Sequence, residues 1–220
     1  MTEPFILAHP KHPSIAHRFL AQLRDPATQQ DPARFRANMR RLGQLLAYEI
    51  SKTLPYAPQD LPTPLGVVPG MPVLQQSPVL ATVLRAGLPF HAGFQDYFED
   101  AESAFVGAAR TEGNKDNLHI DLSYIGTPSL EGRTLILADP MLATGKSLLK
   151  SYQALQNKGG TPRTLHIAAI IAAKEGLNYL QDHLPDARFW LAGLDPTLNA
   201  QAYIVPGLGD AGDLAFGTKR

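Results

Sequence analysis

From residue 78 onward the chain alternates short apolar runs with helical stretches, and this alternation restricts the fold more than any other feature. The runs are Val79–Leu84, Ala104–Ala109, Leu118–Ile125, Thr134–Ala138, Leu165–Ala172 and Arg188–Ala192. Helical spacing falls between them, over Leu88–Phe98, Ser147–Asn157 and Glu175–His183. Continuous runs of this length, rich in β-branched residues, predict strands buried on both faces of a mainly parallel sheet flanked by helices. Leu118–Ile125 alternates polar and apolar residues more cleanly and predicts an antiparallel β flap. The fold class is therefore α/β, and ligands are expected beyond the carboxyl ends of the strands.

The first 78 residues read differently. Twelve of the 19 prolines lie before residue 80, and seven fall between Pro55 and Pro78. Each proline removes a backbone donor and restricts the residue before it, so no long helix survives there. An extended arm or loose hairpin is expected, with Val67, Val68, Val73 and Leu74 giving it something to pack; a plain linker is the alternative. Before the arm, Asp31 is a suitable N-cap and Pro32 a suitable first helical residue. Phe35, Met39, Leu42, Leu46 and Ile50 then form one helical stripe, while Arg34, Arg36, Arg40 and Arg41 fall mostly off it. That basic face reads as solvated, with contact to a phosphate or an acidic partner as the alternative. Residues 1–78 are thus read as N-terminal helices plus a proline-rich arm, and 79–220 as the core, in one structural domain.

Charge and composition exclude several classes. With 20 Lys+Arg against 20 Asp+Glu, the chain lacks the basic excess of a general nucleic-acid or anionic-membrane binder. It has no cysteine, hence no disulfide frame, no thiolate nucleophile and no Cys-based zinc site. The N-terminus is broken by Pro4, Pro10 and Pro13 and does not read as a signal peptide, and no apolar run is long enough to span a bilayer. A cytoplasmic location is expected.

Three loops at the predicted strand ends carry chemistry. In Asp139-Pro140-Met141-Leu142-Ala143-Thr144-Gly145-Lys146-Ser147 a buried strand ends in a carboxylate and a helix opens behind a Thr-Gly-Lys-Ser turn. Free amides at a helix N-terminus, flanking hydroxyls and a glycine for close approach suit a phosphate. A P-loop would need a glycine where Pro140 stands, which demotes that reading. Asp139 is placed for ribose hydroxyls or a magnesium shell. In Leu84-Arg85-Ala86-Gly87 an arginine follows a buried strand and is able to clamp an oxyanion. The tail from Tyr203 to Asp213 exposes backbone amides and carbonyls at Gly207, Gly209 and Gly212, with Asp210 and Asp213 close by. Tyr203, Ile204, Leu208 and Phe216 give that tail a reason to be ordered.

These strings carry a resemblance. Asp139–Ser147 resembles the phosphoribosyl-diphosphate signature of type I phosphoribosyltransferases. Leu84–Gly87 and the tail Tyr203–Lys219 resemble those of uracil phosphoribosyltransferases, and a weaker likeness runs from His9 through Thr63-Pro64-Leu65-Gly66 to the end. The resemblance implies a type I phosphoribosyltransferase-like fold. It also implies transfer of ribose 5-phosphate from 5-phosphoribosyl 1-diphosphate to N1 of uracil, giving UMP and diphosphate with Mg2+, in pyrimidine salvage. By the same resemblance Arg85 and Arg110 would hold the diphosphate, and Asp139–Ser147 the 5′-phosphate and ribose. Ile204, Gly209, Asp210 and Ala211 would hold uracil, with Asp210 also facing the donor; Arg110, Asp139 and Asp210 are the implied catalytic residues. No protein metal site is implied, the Mg2+ arriving on the diphosphate. A homodimer or higher homo-oligomer and a GTP effector also follow from the resemblance alone.

The chemistry agrees with these residues. Breaking the C1–O bond builds positive charge on the ribose and negative charge on diphosphate, which carboxylates and arginines meet respectively. Uracil presents acceptor, donor, acceptor along one edge, matching a backbone that offers N–H, C=O, N–H, whereas cytosine reverses two of the three. Three departures from the family pattern stand out: Lys146 where a second glycine is usual, Thr-Glu-Gly-Asn-Lys-Asp after Arg110, and Leu88-Pro89-Phe90 in place of small residues. The second departure leaves the flap, read over 114–128, poorly placed. Alternatives are a phosphoribosyltransferase for another nucleobase, or a non-enzymatic regulator that binds UMP or phosphoribosyl diphosphate and controls transcripts.

Overall fold

A computed structural model describes residues 3–111 and 119–218, without the side chains of 108–111 and 119–121. In chain order the elements begin with β1 (Phe5–Ile6), α1 (Ile15–Arg24), α2 (Pro32–Ser51), β2 (Tyr56–Thr63), β3 (Gly66–Leu74), β4 (Val79–Leu84) and α3 (Leu88–Gln95). They continue with β5 (Ser103–Thr111), β6 (His119–Gly126), β7 (Thr134–Ala138), β8 (Met141–Leu142), α4 (Lys146–Gly159) and β9 (Thr164–Ala173). The last are α5 (Lys174–His183), β10 (Arg188–Asp195), β11 (Thr197–Leu198), β12 (Ile204–Val205) and α6 (Ala211–Phe216).

The central sheet has the order β1-β10-β9-β7-β4-β5-β6, with β8 paired to β9. Every pairing is parallel except β5 with β6, so the expected mainly parallel sheet is present with an antiparallel edge. Strand parity divides the core in two. Leu80, Ile136, Ala168, Ile170 and Trp190 face one cluster, with α1, α2 and α3. Val79, Ala81, Leu135, Leu137, Ile167, Phe189 and Leu191 face the other, with α4 and α5. Two covered faces are why these strands read as unbroken apolar runs.

The α2 stripe behaves as its spacing predicts: Phe35, Met39, Leu42, Leu46 and Ile50 are all buried. Asp31 Oδ1 accepts from the amides of Ala33 and Arg34 at 3.0 and 3.1 Å, a cap worth about 1 kcal/mol. Gly43 and Gly93 let α2 and α3 cross closely, since a Cβ on either would run into the other helix's backbone.

Some expectations are corrected. The helix expected over Leu88–Phe98 stops at Gln95, and Asp96 behind it receives a fork from Arg40 (2.7 Å from Nε). That guanidinium holds the Asp96 carboxyl below the usual carboxylate range. Arg36 likewise donates to the carbonyl of Ala215 and Arg41 to Asn38, so much of the basic face is engaged with the protein itself. The proline-rich arm is an antiparallel hairpin, β2 with β3, with a register shift between Gln59 and Leu61. Of the four residues expected to pack, Leu74 is half-buried against the core, whereas Val67, Val68 and Val73 are exposed. Phe5–Ile6 was not foreseen as a strand, yet it pairs with β10 at the sheet edge. Of the flap read over 114–128, residues 114–118 lie outside the described residues; β6 pairs antiparallel to β5 as predicted.

Candidate active site

The carboxyl ends of β4 and β7 open beside each other, and the loops leaving them form the walls of a cleft of about 290 Å3. The floor comes from β7. Asp139 follows its last residue and is half-buried; its amide donates to the carbonyl of Ala168 at 3.0 Å, and its Oδ1 accepts from the amide of Met141 at 3.3 Å. The chain then runs beside β9, where Met141 and Leu142 pair with Ile171 and Ala172. The Asp139–Ser147 loop is thereby an extension of the sheet.

At the end of that loop Gly145 takes φ +77° and becomes the N-cap of α4. A Cβ there would sit 2.8 Å from the carbonyl of Gly176 and 3.0 Å from Leu180, so both dihedral and space require glycine. Gly176, in α5, is equally necessary, because its own Cβ would strike the carbonyl of Ala143. Lys146 is the first residue of α4 and takes no positive φ, so the residue that replaces the usual second glycine is accommodated as ordinary helix. Its amide donates to Thr144 Oγ1 at 3.4 Å, and no side chain caps the helix at Gly145, which leaves the end suited to an anion.

Arg85 and the tail make the opposite wall. Arg85 Nη2 reaches the carbonyl of Gly217 at 3.2 Å and Asp213 Oδ1 at 3.5 Å, tying the β4–α3 loop to the end of the chain. Its Nε is buried without a hydrogen-bond partner among the described residues, a donor that an oxyanion in the cleft would satisfy. The tail enters through β12 and leaves through α6, capped by Asp210, whose Oδ1 accepts from the amides of Gly212 and Asp213 at 2.8 and 3.0 Å. Gly209 takes φ +90°.

Of the residues singled out from sequence, the cleft brings together Arg85, Asp139, Met141, Ala143, Ser147, Ile204, Gly209, Asp210 and Ala211. Pro140, Leu142, Thr144, Gly145 and Lys146 belong to the same loop without lining the cleft. The side chain of Arg110 lies outside the described residues; its backbone is in β5, opposite Ile120. Sequence reasoning missed Val83 and Ala202, which also line the cleft, as do Leu84, Ala86, Tyr203 and Gly212 of the loop and tail read from sequence. Ala202 is the one described non-glycine residue with positive φ, +62°, and nothing in an alanine announces that.

A mainly parallel sheet whose strand ends carry Asp139, the glycine-started helix α4 and a glycine-rich tail around one cleft has the fold expected of a type I phosphoribosyltransferase. Comparison with known proteins carries this to a particular branch. The family model described as uracil phosphoribosyltransferase matches residues 9–218. A relative in Porphyromonas gingivalis named uracil phosphoribosyltransferase is 47% identical over 207 residues, covering 94% of this chain and 95% of its own. One of the same name in Pyrococcus furiosus is 39% identical over 200 residues, covering 90% of this chain and 84% of its own. The solved structure of the AQ2163 protein from Aquifex aeolicus superposes with a TM-score of 0.85 at 28% identity, covering 98% of both chains. The chain belongs to the uracil phosphoribosyltransferase family.

Proposed function

We propose that the cleft performs the family reaction, uracil plus 5-phosphoribosyl 1-diphosphate to UMP plus diphosphate, with the two loops dividing the substrates between them. The observation that carries this division is that the Asp139–Ser147 loop and the Ile204–Ala211 tail face each other across one cleft. The amides of the first turn of α4, with Thr144 and Ser147 beside them, bind the 5′-phosphate, and Asp139 meets the ribose and the positive charge growing on it. Arg85 and Arg110 bind the diphosphate. The backbone around Gly209 and Ala211 reads the uracil edge over the apolar side chain of Ile204, and Asp210 faces the ribose from the tail side. Such a backbone reader rejects cytosine because two buried polar groups would be mispaired.

Asp139, Asp210 and the phosphates of the substrate form an all-oxygen donor set, which fits Mg2+. Bound with the diphosphate, the ion would neutralise charge on the leaving group. The exposed apolar side chains of the hairpin, Val67, Val68 and Met71 among them, support self-association into a homodimer or larger homo-oligomer. Sedimentation measurements test that point. No helix among the described residues is long and apolar enough to cross a membrane, which agrees with a cytoplasmic salvage enzyme. GTP activation rests on the family resemblance, and rates with and without GTP decide it. The central test is UMP formation from uracil and phosphoribosyl diphosphate, with cytosine and hypoxanthine as competing bases. Turnover of uracil alone supports the reading, and preference for another base overturns it.

A further inference from the structure

The tail that reads the base is held only in part by its own neighbours in sequence, where β12 pairs with β11. Arg24, the last residue of α1, forks onto Asp195, the last residue of β10: Nη1 to Oδ2 at 2.8 Å and Nη2 to Oδ1 at 2.7 Å. Both groups also grip the same peptide. Asp195 Oδ2 accepts from the amide of Gly207 at 2.9 Å, and Arg24 Nη1 donates to the carbonyl of Gly207 at 3.0 Å. Gln29, just beyond α1, sets its side-chain amide against the carbonyls of Leu208 and Leu23, and turned so that its nitrogen donates to both it lies 2.9 and 3.0 Å from them. The Asp195 side chain is 6% exposed and that of Arg24 25%, so the pair is well shielded from water.

We infer that Arg24 and Asp195, assisted by Gln29, are positioning residues for base recognition: they fix Gly207 and Leu208 so that the next peptide groups, at Gly209 to Ala211, point into the cleft. Gly207 lies two residues before Gly209 and adopts φ +66°, and a Cβ there would collide with the carbonyl of Ile204. Both hydrogen-bonding groups that Gly207 contributes are occupied by the clamp, and the carbonyl of Leu208 by Gln29. Backbone recognition depends on where peptide groups point, and a fork with fixed geometry sets that better than a single ammonium. The partners come from α1 and β10, so the N-terminal helix tunes base selectivity without entering the cleft. This inference rests on reading the tail as the uracil site.

The test compares Arg24→Lys, which keeps the charge beside Asp195 but loses the fork, with Gln29→Ala. For Arg24→Lys the expected result is a rise of about tenfold or more in KM for uracil, and a narrower preference for uracil over cytosine. KM for phosphoribosyl diphosphate and its binding without uracil should change by less than about twofold, since the phosphate loop is anchored elsewhere. Gln29→Ala should move in the same direction by a smaller factor. An unchanged uracil KM in folded Arg24→Lys overturns the inference. So does an equal rise in both KM values, which would show a general structural role. Wild-type protein that makes no UMP from uracil fails at the earlier step and takes the inference with it, so the two failures are told apart by the wild-type assay.

Discussion

The Asp139–Ser147 loop, proposed to bind phosphate, and the Ile204–Ala211 tail, proposed to read the base, share a cleft but are held in place by different means. The phosphate loop inherits its position from the sheet: Asp139 and Pro140 bond to β9, Met141 and Leu142 pair with it, and Gly145 is pressed against Gly176. These supports lie within about forty residues on adjoining elements, and the groups proposed to bind ligand there are charged or hydroxylated side chains and helix-end amides. The tail presents peptide groups, and beside the nearby β11 and Asp195 it is supported from the far end of the chain, Arg24 lying 183 residues before Gly207. A region held locally announces itself in a local motif. The distant anchors of the tail do not.

The largest expected effect tests the local side of this comparison. Asp139→Asn retains an oxygen that can accept from the Met141 amide but removes the negative charge facing the ribose. Loss of a pre-oriented charge at the reacting centre should lower kcat/KM by about 10³-fold, ~4 kcal/mol. Thermal stability should stay within a few degrees, because the loop remains paired to β9. Steady-state kinetics and a melting curve measure both. A large loss of stability with modest kinetic change would mean that Asp139 serves the loop and not the reaction.

The second effect concerns the sheet edge that ends in Asp195. His166 on β9 is buried, accepts from Trp190 Nε1 at its Nδ1 (3.0 Å), and burial pushes its pKa down to about 4. Above the ordinary value of about 6.5 both folded and unfolded forms are neutral there. As pH falls below that value the unfolded chain takes up a proton first, so stability is lost progressively until the folded-state pKa near 4 is passed. The shift corresponds to a loss of about 3 kcal/mol between pH 7 and pH 4. His166→Asn keeps an acceptor near Trp190 and removes the titration, so its stability should fall less steeply over that window in denaturant titrations at stepped pH. Parallel pH profiles of the two proteins would assign the acid sensitivity to other groups.

The same contrast explains what was legible in the sequence. β4 and β7 are found at the limits their apolar runs predict, because both faces of each strand are covered and the pattern is unbroken. Asp139–Ser147 and the glycine-rich tail could be picked out because their chemistry is local. β1, β8, β11 and β12 were missed, being two residues each and too short to show a period. The hairpin's pairing was half-visible, and the exposure of its valines was not, since valines in an extended segment look the same whether they pack or not. Arg24 and Asp195 gave no signal, for neither lies in a motif and only the fold brings α1 to the end of β10.

The smallest effect is expected at Lys146, where the local motif departs from its family. The side chain is half-buried at the first residue of α4 and does not line the cleft, while Gly145 alone takes the positive φ that the turn demands. The backbone geometry that binds phosphate therefore does not depend on the lysine. Lys146→Gly should leave kcat within a few-fold and raise KM for phosphoribosyl diphosphate by no more than about tenfold, ~1.4 kcal/mol. Part of that rise reflects a lost positive charge near the phosphates and should fade in high salt. KM for uracil should hold, because the tail is anchored through Arg24 and Asp195 on the other side of the sheet's end. A hundredfold fall in kcat with unchanged folding would show the lysine acting on the transferring group, and the phosphate loop would then be more than the extension of the sheet that its hydrogen bonds describe.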